Sequence, residues 1–167
     1  MNLPPYSLFP ELSNGRLRLR AVTSADLESL MEISFYDAKP AKSIAEAAQM
    51  QQQIDYDYAA GNSIHWCMEE LSTQRLVGTC GYYRGFDNNS GELGCVLRPA
   101  FYGRGYMTEA MKLAIGFGFQ TIGLQKITAI TSPHNENAIR LLKRLQFQQI
   151  ALLAGDELMF GLSTPEH

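Results

Sequence analysis

The chain has 167 residues, of which 46% are hydrophobic and 19% charged, and its formal net charge is −3. This length favours one compact domain spanning residues 1–167, and the composition is that of an ordinary globular protein. The negative charge and the lack of any run of Lys or Arg exclude a strongly basic surface, so we expect no nucleic-acid partner.

The three cysteines and the opening residues indicate the cellular compartment in which the protein resides. Cys67, Cys80 and Cys95 lie in apolar segments without C-x-x-C spacing, which favours free buried thiols over disulfides or a zinc site. The opening MNLPPYSLFPEL lacks the charged and apolar regions of a signal peptide. No stretch approaches about 18 uninterrupted apolar residues. We therefore expect a cytoplasmic protein that uses no metal and has no membrane partner.

The first third of the chain predicts one strand and two helices. GRLRLRAV, residues 15–22, alternates leucine with arginine, which indicates a half-buried strand at or near a sheet edge. Residues 23–33 follow a helical period, with Thr23 or Ser24 as N-cap. Residues 43–61 form a second helix. We interpret the intervening SFYDAKPAK, residues 34–42, as a loop beside a substrate cleft.

The rest of the chain predicts a meander followed by alternating helices and strands. Three strands separated by turn residues come first, in residues 63–70, 75–86 and 91–97. A helical period then runs from Arg104 to about Gly123, and Asn135 is the N-cap of a further helix. Three apolar segments complete the sheet, in residues 126–131, 149–155 and 157–162. This order predicts a mixed α/β (α+β) fold around one central sheet.

The stretch VLRPAFYGRGYMTEAM, residues 96–111, places two glycines between a strand and the start of a helix. A helix N-terminus exposes unpaired N–H groups and carries partial positive charge, which together suit an anion such as phosphate. Gly103 and Gly105 lack the Cβ atoms that would obstruct a pyrophosphate. The sequence therefore predicts a phosphate-binding loop.

Two common phosphate loops do not fit this stretch. The G-x-x-x-x-G-K-[ST] pattern of nucleoside-triphosphate P-loops occurs nowhere in the chain, and GRGYMT lacks the third glycine of the dinucleotide fingerprint G-x-G-x-x-G. The strands before it are also predicted to be an antiparallel meander instead of the start of a parallel sheet.

A third loop fits. The stretch resembles the pyrophosphate loop of the GNAT superfamily of acyl-CoA N-acyltransferases, whose pattern is Gln/Arg-x-x-Gly-x-Gly/Ala at the start of the central helix. Here the six residues read Tyr102-Gly103-Arg104-Gly105-Tyr106-Met107. The element order of residues 15–163 is similar to that fold. GELGCVLRPAFYGRGYMTEAM and SPHNENAIRLLKRLQF further resemble the RimJ/RimL branch, whose members acetylate ribosomal-protein N-termini.

The resemblance implies a GNAT-type fold with a mostly antiparallel sheet splayed at its middle, helices on both faces, and acetyl-CoA as co-substrate. Backbone groups of Val96, Leu97 and Arg98 would meet the pantetheine arm. Main-chain amides of five residues would bind the pyrophosphate: Arg104, Gly105, Tyr106, Met107 and Thr108. Asn135 would hydrogen-bond the pantetheine or the acetyl end, or would only cap its helix.

Two departures from the family pattern affect these expectations. Ala138 stands where related sequences carry a serine that can hydrogen-bond the CoA sulfur, so that role does not carry over to this chain. Gln146 replaces a usual glycine before Phe147, which predicts a different turn there.

The implied reaction is attack of a neutral amine on a thioester. An α-amino group with a pKa near 8 is about one unit from neutral at pH 7, whereas deprotonating a lysine near 10.4 costs about 4.6 kcal/mol. A modest base therefore suffices for an N-terminal amine. Glu92 lies at the strand position where many relatives carry a catalytic glutamate, and it is either that base or a group that orients the substrate. The general acid is unassigned, although Tyr83, Tyr102 and Tyr106 have suitable hydroxyls. His65 is a titratable group that alternates with the apolar face of its strand and could line the cleft.

These features predict an acetyl-CoA-dependent N-acetyltransferase that acts by direct attack in a ternary complex. The acceptor is either a protein N-terminal α-amine or a small amine, such as a polyamine, an amino sugar or an amino-acid derivative. A CoA-binding regulatory module without turnover is the alternative. The sequence does not indicate an oligomeric state.

Overall fold

The computed structural model describes residues 1–36 and 39–165, and this part of the chain contains ten strands and four α-helices. The strands are β1 (Leu12–Ser13), β2 (Leu17–Arg20), β3 (Phe35–Tyr36), β4 (Lys39–Pro40), β5 (Ile64–Glu70), β6 (Leu76–Tyr83), β7 (Ser90–Leu97), β8 (Lys126–Thr131), β9 (Gln148–Leu152) and β10 (Leu158–Ser163). The helices are α1 (Leu27–Leu30), α2 (Ile44–Ala59), α3 (Tyr106–Phe117) and α4 (Glu136–Arg144). The predicted mixed α/β fold is confirmed.

The main sheet opens at its middle. Its eight strands follow the order β1-β2-β5-β6-β7-β8-β10-β9, and all neighbours are antiparallel except β7 and β8. Those two strands are parallel and pair only where Ser90–Glu92 lies beside Lys126–Thr128. Beyond Glu92, β7 stays with β6 while β8 stays with β10. The splay expected from the resemblance is therefore present.

The main core lies on the face of the sheet that α3 covers. Trp66, Tyr82 and Phe160 are almost completely buried there, and Leu141 and Leu142 of α4 join the same cluster. The Tyr82 hydroxyl donates to the carbonyl of Ala114 at 2.7 Å, and the Trp66 indole donates to the carbonyl of Pro10 at 2.9 Å. Both buried aromatics thus have partners for their polar atoms, as such residues generally do.

A buried ion-pair cluster holds the start of α1 on the opposite face. The guanidinium of Arg20 donates to Asp26 at 2.8 and 3.0 Å and to Glu69 at 3.0 Å. Burial alone would raise the pKa of Asp26, but hydrogen bonds from Arg20 and from the amide of Thr23 outweigh it and hold that pKa below its usual value. The cluster ties β2, β5 and the turn before α1 together.

The N-terminal helical region differs from the sequence prediction. Thr23 is the N-cap, as predicted, but α1 is only one turn long and lies between 3-10 turns at Ser24–Asp26 and Met31–Ile33. The Asp26 carboxylate accepts the Thr23 amide at 2.7 Å and so tightens the first turn. The predicted loop at residues 34–42 contains the short hairpin of β3 and β4, and its residues Asp37 and Ala38 lie outside the described residues.

Two other predicted boundaries change. The third helix ends at Phe117 and continues as one π-turn, Gly118–Ile122, which closes at Gly123 with a φ of 83°. The different turn predicted at Gln146 is wrong, because Gln146 has a φ of 71°. It therefore adopts the left-handed conformation that a glycine takes readily.

Candidate active site

The predicted phosphate loop is open at the N-terminus of α3. Gly103 and Gly105 have φ values of 75° and 80°, and Gly105 is the N-cap of the helix. A Cβ at Gly103 would meet no atom within 4 Å, and one at Gly105 would meet only Arg16, at 3.8 Å. The backbone hydrogen bonds of the described residues include none donated by amides 104 to 108. These five amides therefore have no backbone partner among the described residues, and they lie at the positive end of a helix dipole.

Arg16, the residue before β2, contacts this loop and the first turn of α3. Its Nη1 donates to the carbonyl of Arg104 at 2.7 Å and to Oε2 of Glu109 at 2.8 Å. Its guanidinium carbon also lies 3.9 Å from the centre of the Tyr106 ring. Arg16 was not predicted as a site residue, because an arginine in an alternating segment resembles a solvated residue and its partner Glu109 is 93 positions away.

The predicted cofactor residues lie at one edge of the sheet. Since β7 and β8 are parallel, their carboxyl ends meet at the same edge, from which α3 and α4 begin. That edge brings together residues 96–98, the loop 104–108 and Asn135. The side-chain oxygen of Asn135 accepts the amide of Ala138 at 3.1 Å, so this residue does cap its helix.

The side chain of Arg98 does not join the phosphate loop. It donates to Glu32 at 2.7 Å and to the carbonyl of Leu76 at 2.9 Å, and its amide donates to the carbonyl of Val77 at 2.8 Å. Backbone polar groups of successive strand residues point to opposite sides. The residue of this trio whose amide faces the open side of β7 is therefore Leu97.

A cavity of about 880 Å³ lies on the other face, between the sheet and the N-terminal helices. Its sheet floor includes His65, Thr79, Tyr83, Glu92 and Val96. Apolar side chains of the helical region form its roof, among them Leu27, Leu30, Ile33, Met50 and Ile54. Phe35 and Tyr36 also line it, so the segment predicted to border a cleft does so.

Glu92 stands at the point where the sheet opens. It is the last residue of β7 that pairs with β8, and its side chain lines the cavity with 19% of its surface exposed. Burial raises the pKa of Glu92; Arg84, whose Nε lies 3.4 Å from Oε2, opposes this effect, and Glu157 adds to it. A carboxylate with a raised pKa is a stronger base than an ordinary glutamate.

The three tyrosines considered as acids occupy different environments. Tyr102 is 63% exposed, and Tyr106 is buried beneath Arg16. Tyr83 lines the cavity, where its ring covers Gly81 and Gly94: a Cβ at either glycine would come within 3.2 and 3.1 Å of it. Burial raises the pKa of Tyr83 well above its usual value, so its hydroxyl stays protonated.

Cys95 is not placed to act as a nucleophile. It lies directly opposite Cys80 in the β6–β7 pair, and burial raises the pKa of its thiol well above the usual value. A protonated thiol is a poor nucleophile. Within residues 1–36 and 39–165, no group of three or more His, Cys, Asp or Glu side chains is arranged to hold a metal ion, and none of the helices is long and apolar enough to cross a membrane.

Comparison with known proteins gives consistent results. The family model described as "Acetyltransferase (GNAT) domain" matches residues 16–148. The uncharacterized N-acetyltransferase YoaA of Bacillus subtilis (strain 168) is 29% identical over 166 residues, covering 95% of this chain and 93% of that protein.

Solved structures support the fold. The spermidine N-acetyltransferase of Vibrio cholerae superposes with a TM-score of 0.75 at 19% identity, over 90% of this chain and 95% of that one. The ribosomal-protein-S5-alanine acetyltransferase of Vibrio fischeri superposes with a TM-score of 0.75 at 16% identity, over 92% and 96%. Because the family model spans most of the chain, this protein belongs to the GNAT acetyltransferase family and is an N-acetyltransferase, for which the family implies acetyl-CoA and an amine as substrates.

Proposed function

We propose that this protein transfers the acetyl group of acetyl-CoA to a primary amine by direct attack, and that residues 1–167 act as one catalytic domain. The observation that carries the proposal is the opening between β7 and β8. Free amides of α3 lie at its edge, and Glu92 with the cavity lies at its apex on the other face. Such an opening lets a thioester and an amine approach each other from opposite sides.

The proposed cofactor site uses main-chain groups. The pyrophosphate binds the amides of the loop, contributed by Arg104, Gly105, Tyr106, Met107 and Thr108. The pantetheine arm follows the unpaired side of β7 at Val96, Leu97 and Arg98 and adds to it as a further strand would. Asn135, which caps α4, hydrogen-bonds the pantetheine or the acetyl end in this proposal.

The proposed base is Glu92. It takes the proton of the attacking amine, directly or through one water, and its raised pKa matches that task. Tyr83 lines the same cavity floor as Glu92, and its hydroxyl is protonated. A base of this strength is adequate for an amine with a pKa near 8, which favours an α-amine over a lysine side chain.

A small polycationic amine is the second candidate acceptor. The cavity lining contains Asp57, Asp87 and Glu92 against the single arginine Arg84, among the described residues, and acidic groups favour a cation. A spermidine N-acetyltransferase shares this fold, so polyamines should be tested beside α-amines as acceptors.

The test measures acetyl-CoA consumption with a panel of N-terminal peptides, polyamines and amino sugars. Release of the CoA thiol is the readout. We expect thiol release in step with acetylated product, fastest for α-amines. Tight CoA binding without turnover on any amine would support a binding module instead. Failure to bind CoA would remove the proposed site altogether.

A further inference from the structure

His65 on β5 is a polar residue of the cavity floor that the proposed chemistry does not use. Its Nδ1 is buried and has no hydrogen-bond partner among the described residues. The ring lies against Tyr83, with the two ring centres 5.8 Å apart. Since the residue itself lines the cavity, Nε2 is the nitrogen on the accessible side of the ring.

The surroundings of His65 fix its protonation. Burial lowers the pKa of His65 to about 4, so the imidazole is neutral at pH 7 and carries one N–H. A proton on Nδ1 would have no acceptor, and a buried N–H without an acceptor is costly. The proton therefore resides on Nε2, where it is available to a molecule in the cavity.

His65 and Glu92 lie on the same face of the sheet, on two strands that β6 separates. His65 pairs with Gly81, Gly81 pairs with Gly94, and Glu92 lies two residues from Gly94 on β7. These spacings put the two Cα atoms roughly 12 Å apart on one face. The ring of Tyr83 covers the two intervening glycines, and His65 and Glu92 line the same cavity on either side of them.

The rest of the cavity suits an apolar substituent better than a second cation. Its roof is formed by Leu27, Leu30, Ile33, Met50 and Ile54. The carboxylate of Asp57 is already engaged, because it accepts the Tyr36 hydroxyl at 2.9 Å and the Gln53 amide at 3.1 Å. A polyamine would leave the Nε2–H of His65 unpaired and would place charge against hydrocarbon.

We propose that His65 determines acceptor specificity by donating a hydrogen bond from Nε2 to a carbonyl oxygen next to the reacting amine, while Glu92 faces the amine. The acceptor class is then an α-amino acyl compound with an apolar side chain, such as the first residue of a peptide or an amino-acid amide. This inference rests on the proposed function and narrows it.

The first experiment compares two amines that differ only in the carboxamide, leucinamide and isoamylamine. Initial rates with acetyl-CoA give kcat/KM for each amine in the wild type, His65→Phe and His65→Gln. The two amines have different pKa values, so the measured quantity is the leucinamide-to-isoamylamine ratio of each variant divided by the wild-type ratio. That division cancels the difference in free amine.

We expect His65→Phe to lower the leucinamide-to-isoamylamine ratio by about tenfold, the effect of losing one hydrogen bond in a desolvated site. Isoamylamine itself should change by less than about twofold. His65→Gln should keep most of the preference, since its amide N–H still donates. An unchanged ratio in His65→Phe, or polyamine turnover by the wild type without leucinamide turnover, overturns the inference.

A second measurement needs no variant. The ¹⁵N shifts of the His65 ring in the wild type report which nitrogen carries the proton. We expect the proton on Nε2, with a change in its shift when leucinamide binds and none with isoamylamine. A proton on Nδ1 overturns the inference but leaves acetyl transfer intact, whereas no acetylation of any amine by the wild type removes the proposed function first.

Discussion

The two faces of the sheet build their sites from different parts of the chain. On the α3 face the donors are main-chain amides of five consecutive residues, 104–108, held by Arg16. On the other face the proposed acceptor site consists of side chains of His65, Tyr83 and Glu92, which line one cavity and come from three strands. The first site follows from local backbone geometry, whereas the second exists only once β5, β6 and β7 pair in the correct register.

The largest expected effect comes from blocking the main-chain site. Gly105→Glu should weaken CoA binding by at least about 100-fold, measured by calorimetry, because the carboxylate repels the pyrophosphate and covers the amides. Gly105 has a φ of 80°, so any other residue there also costs about 1–2 kcal/mol of backbone strain.

Gly123→Glu is the matched control for that strain. Gly123 has a φ of 83° and lies at the opposite end of the same helical segment, roughly 25 Å away. The Gly123→Glu variant should bind CoA with wild-type affinity. Equal losses in the two variants would mean that strain, and not occlusion of the amides, causes the effect.

On the acceptor face, Glu92→Gln should reduce kcat by about 100-fold while leaving the KM for acetyl-CoA unchanged. The pH–rate profile of the wild type should have an acid limb above the ordinary pKa of glutamate, because burial raises the pKa of Glu92. That limb should vanish in the variant. An acid limb that persists unmoved would exclude Glu92 as the base.

Glu157→Gln provides the control for Glu92. The charge of Glu157 raises the pKa of Glu92, so its removal should move the acid limb to lower pH and leave kcat at its plateau nearly unchanged. A shift in the other direction would contradict the assigned proximity.

Asp26→Asn tests whether side-chain contacts hold the roof of the acceptor cavity. Losing the charged partner of Arg20 should lower the free energy of unfolding by about 2 kcal/mol at pH 7, measured in urea. The folded-state pKa of Asp26 is lowered, so its contribution is complete above the unfolded pKa of about 3.9 and disappears as the pH falls through the folded-state value.

The difference between wild type and Asp26→Asn should therefore shrink below about pH 4. Glu28→Gln, an exposed carboxylate of α1, should change stability by less than about 0.5 kcal/mol. A constant difference between wild type and Asp26→Asn down to pH 2 would contradict the ion-pair explanation.

The smallest effect is expected from replacing Arg16, which contacts the loop 104–108 and Glu109. Arg16→Met should raise the KM for acetyl-CoA about tenfold with kcat within about twofold, because the amides lose their fixed orientation but stay present. Arg16→Lys should recover part of this loss through one hydrogen bond. Arg18→Met, two residues further along the chain in β2 and paired with Glu69, should leave that KM unchanged; an equal rise in both variants would make the effect one of general stability.

The contrast between the faces also explains how much the sequence predicted. The open helix start at residues 103–108 was predictable because Gly103, Gly105 and a following helix are sufficient to leave amides without backbone partners, and phosphate binding there stays a prediction. The strands of the meander were predictable from the alternation of apolar and polar residues and from the turn residues between them. Arg16 was not, since its contact with Glu109 spans 93 positions.

The proposed acceptor site was predictable only in part. Glu92 was predicted through a resemblance, whereas the position of His65 relative to Glu92 depends on two strand registers that no local pattern specifies. The predicted single first helix was wrong: Asp26, held by Arg20 six residues earlier, accepts the Thr23 amide, and the first turn is 3-10. Long-range contacts account for the other two features that the local pattern missed, the contact of Arg16 with Glu109 and the placement of His65 and Glu92 in one cavity.

The most direct measurement follows the backbone amides of ¹⁵N-labelled protein during titration with CoA. Binding should shift the resonances of residues 104–108 most strongly and in proportion to saturation, and 3′-dephospho-CoA should shift the same amides because it retains the pyrophosphate. Largest shifts elsewhere, with residues 104–108 unmoved at saturation, would contradict a pyrophosphate held at the N-terminus of α3.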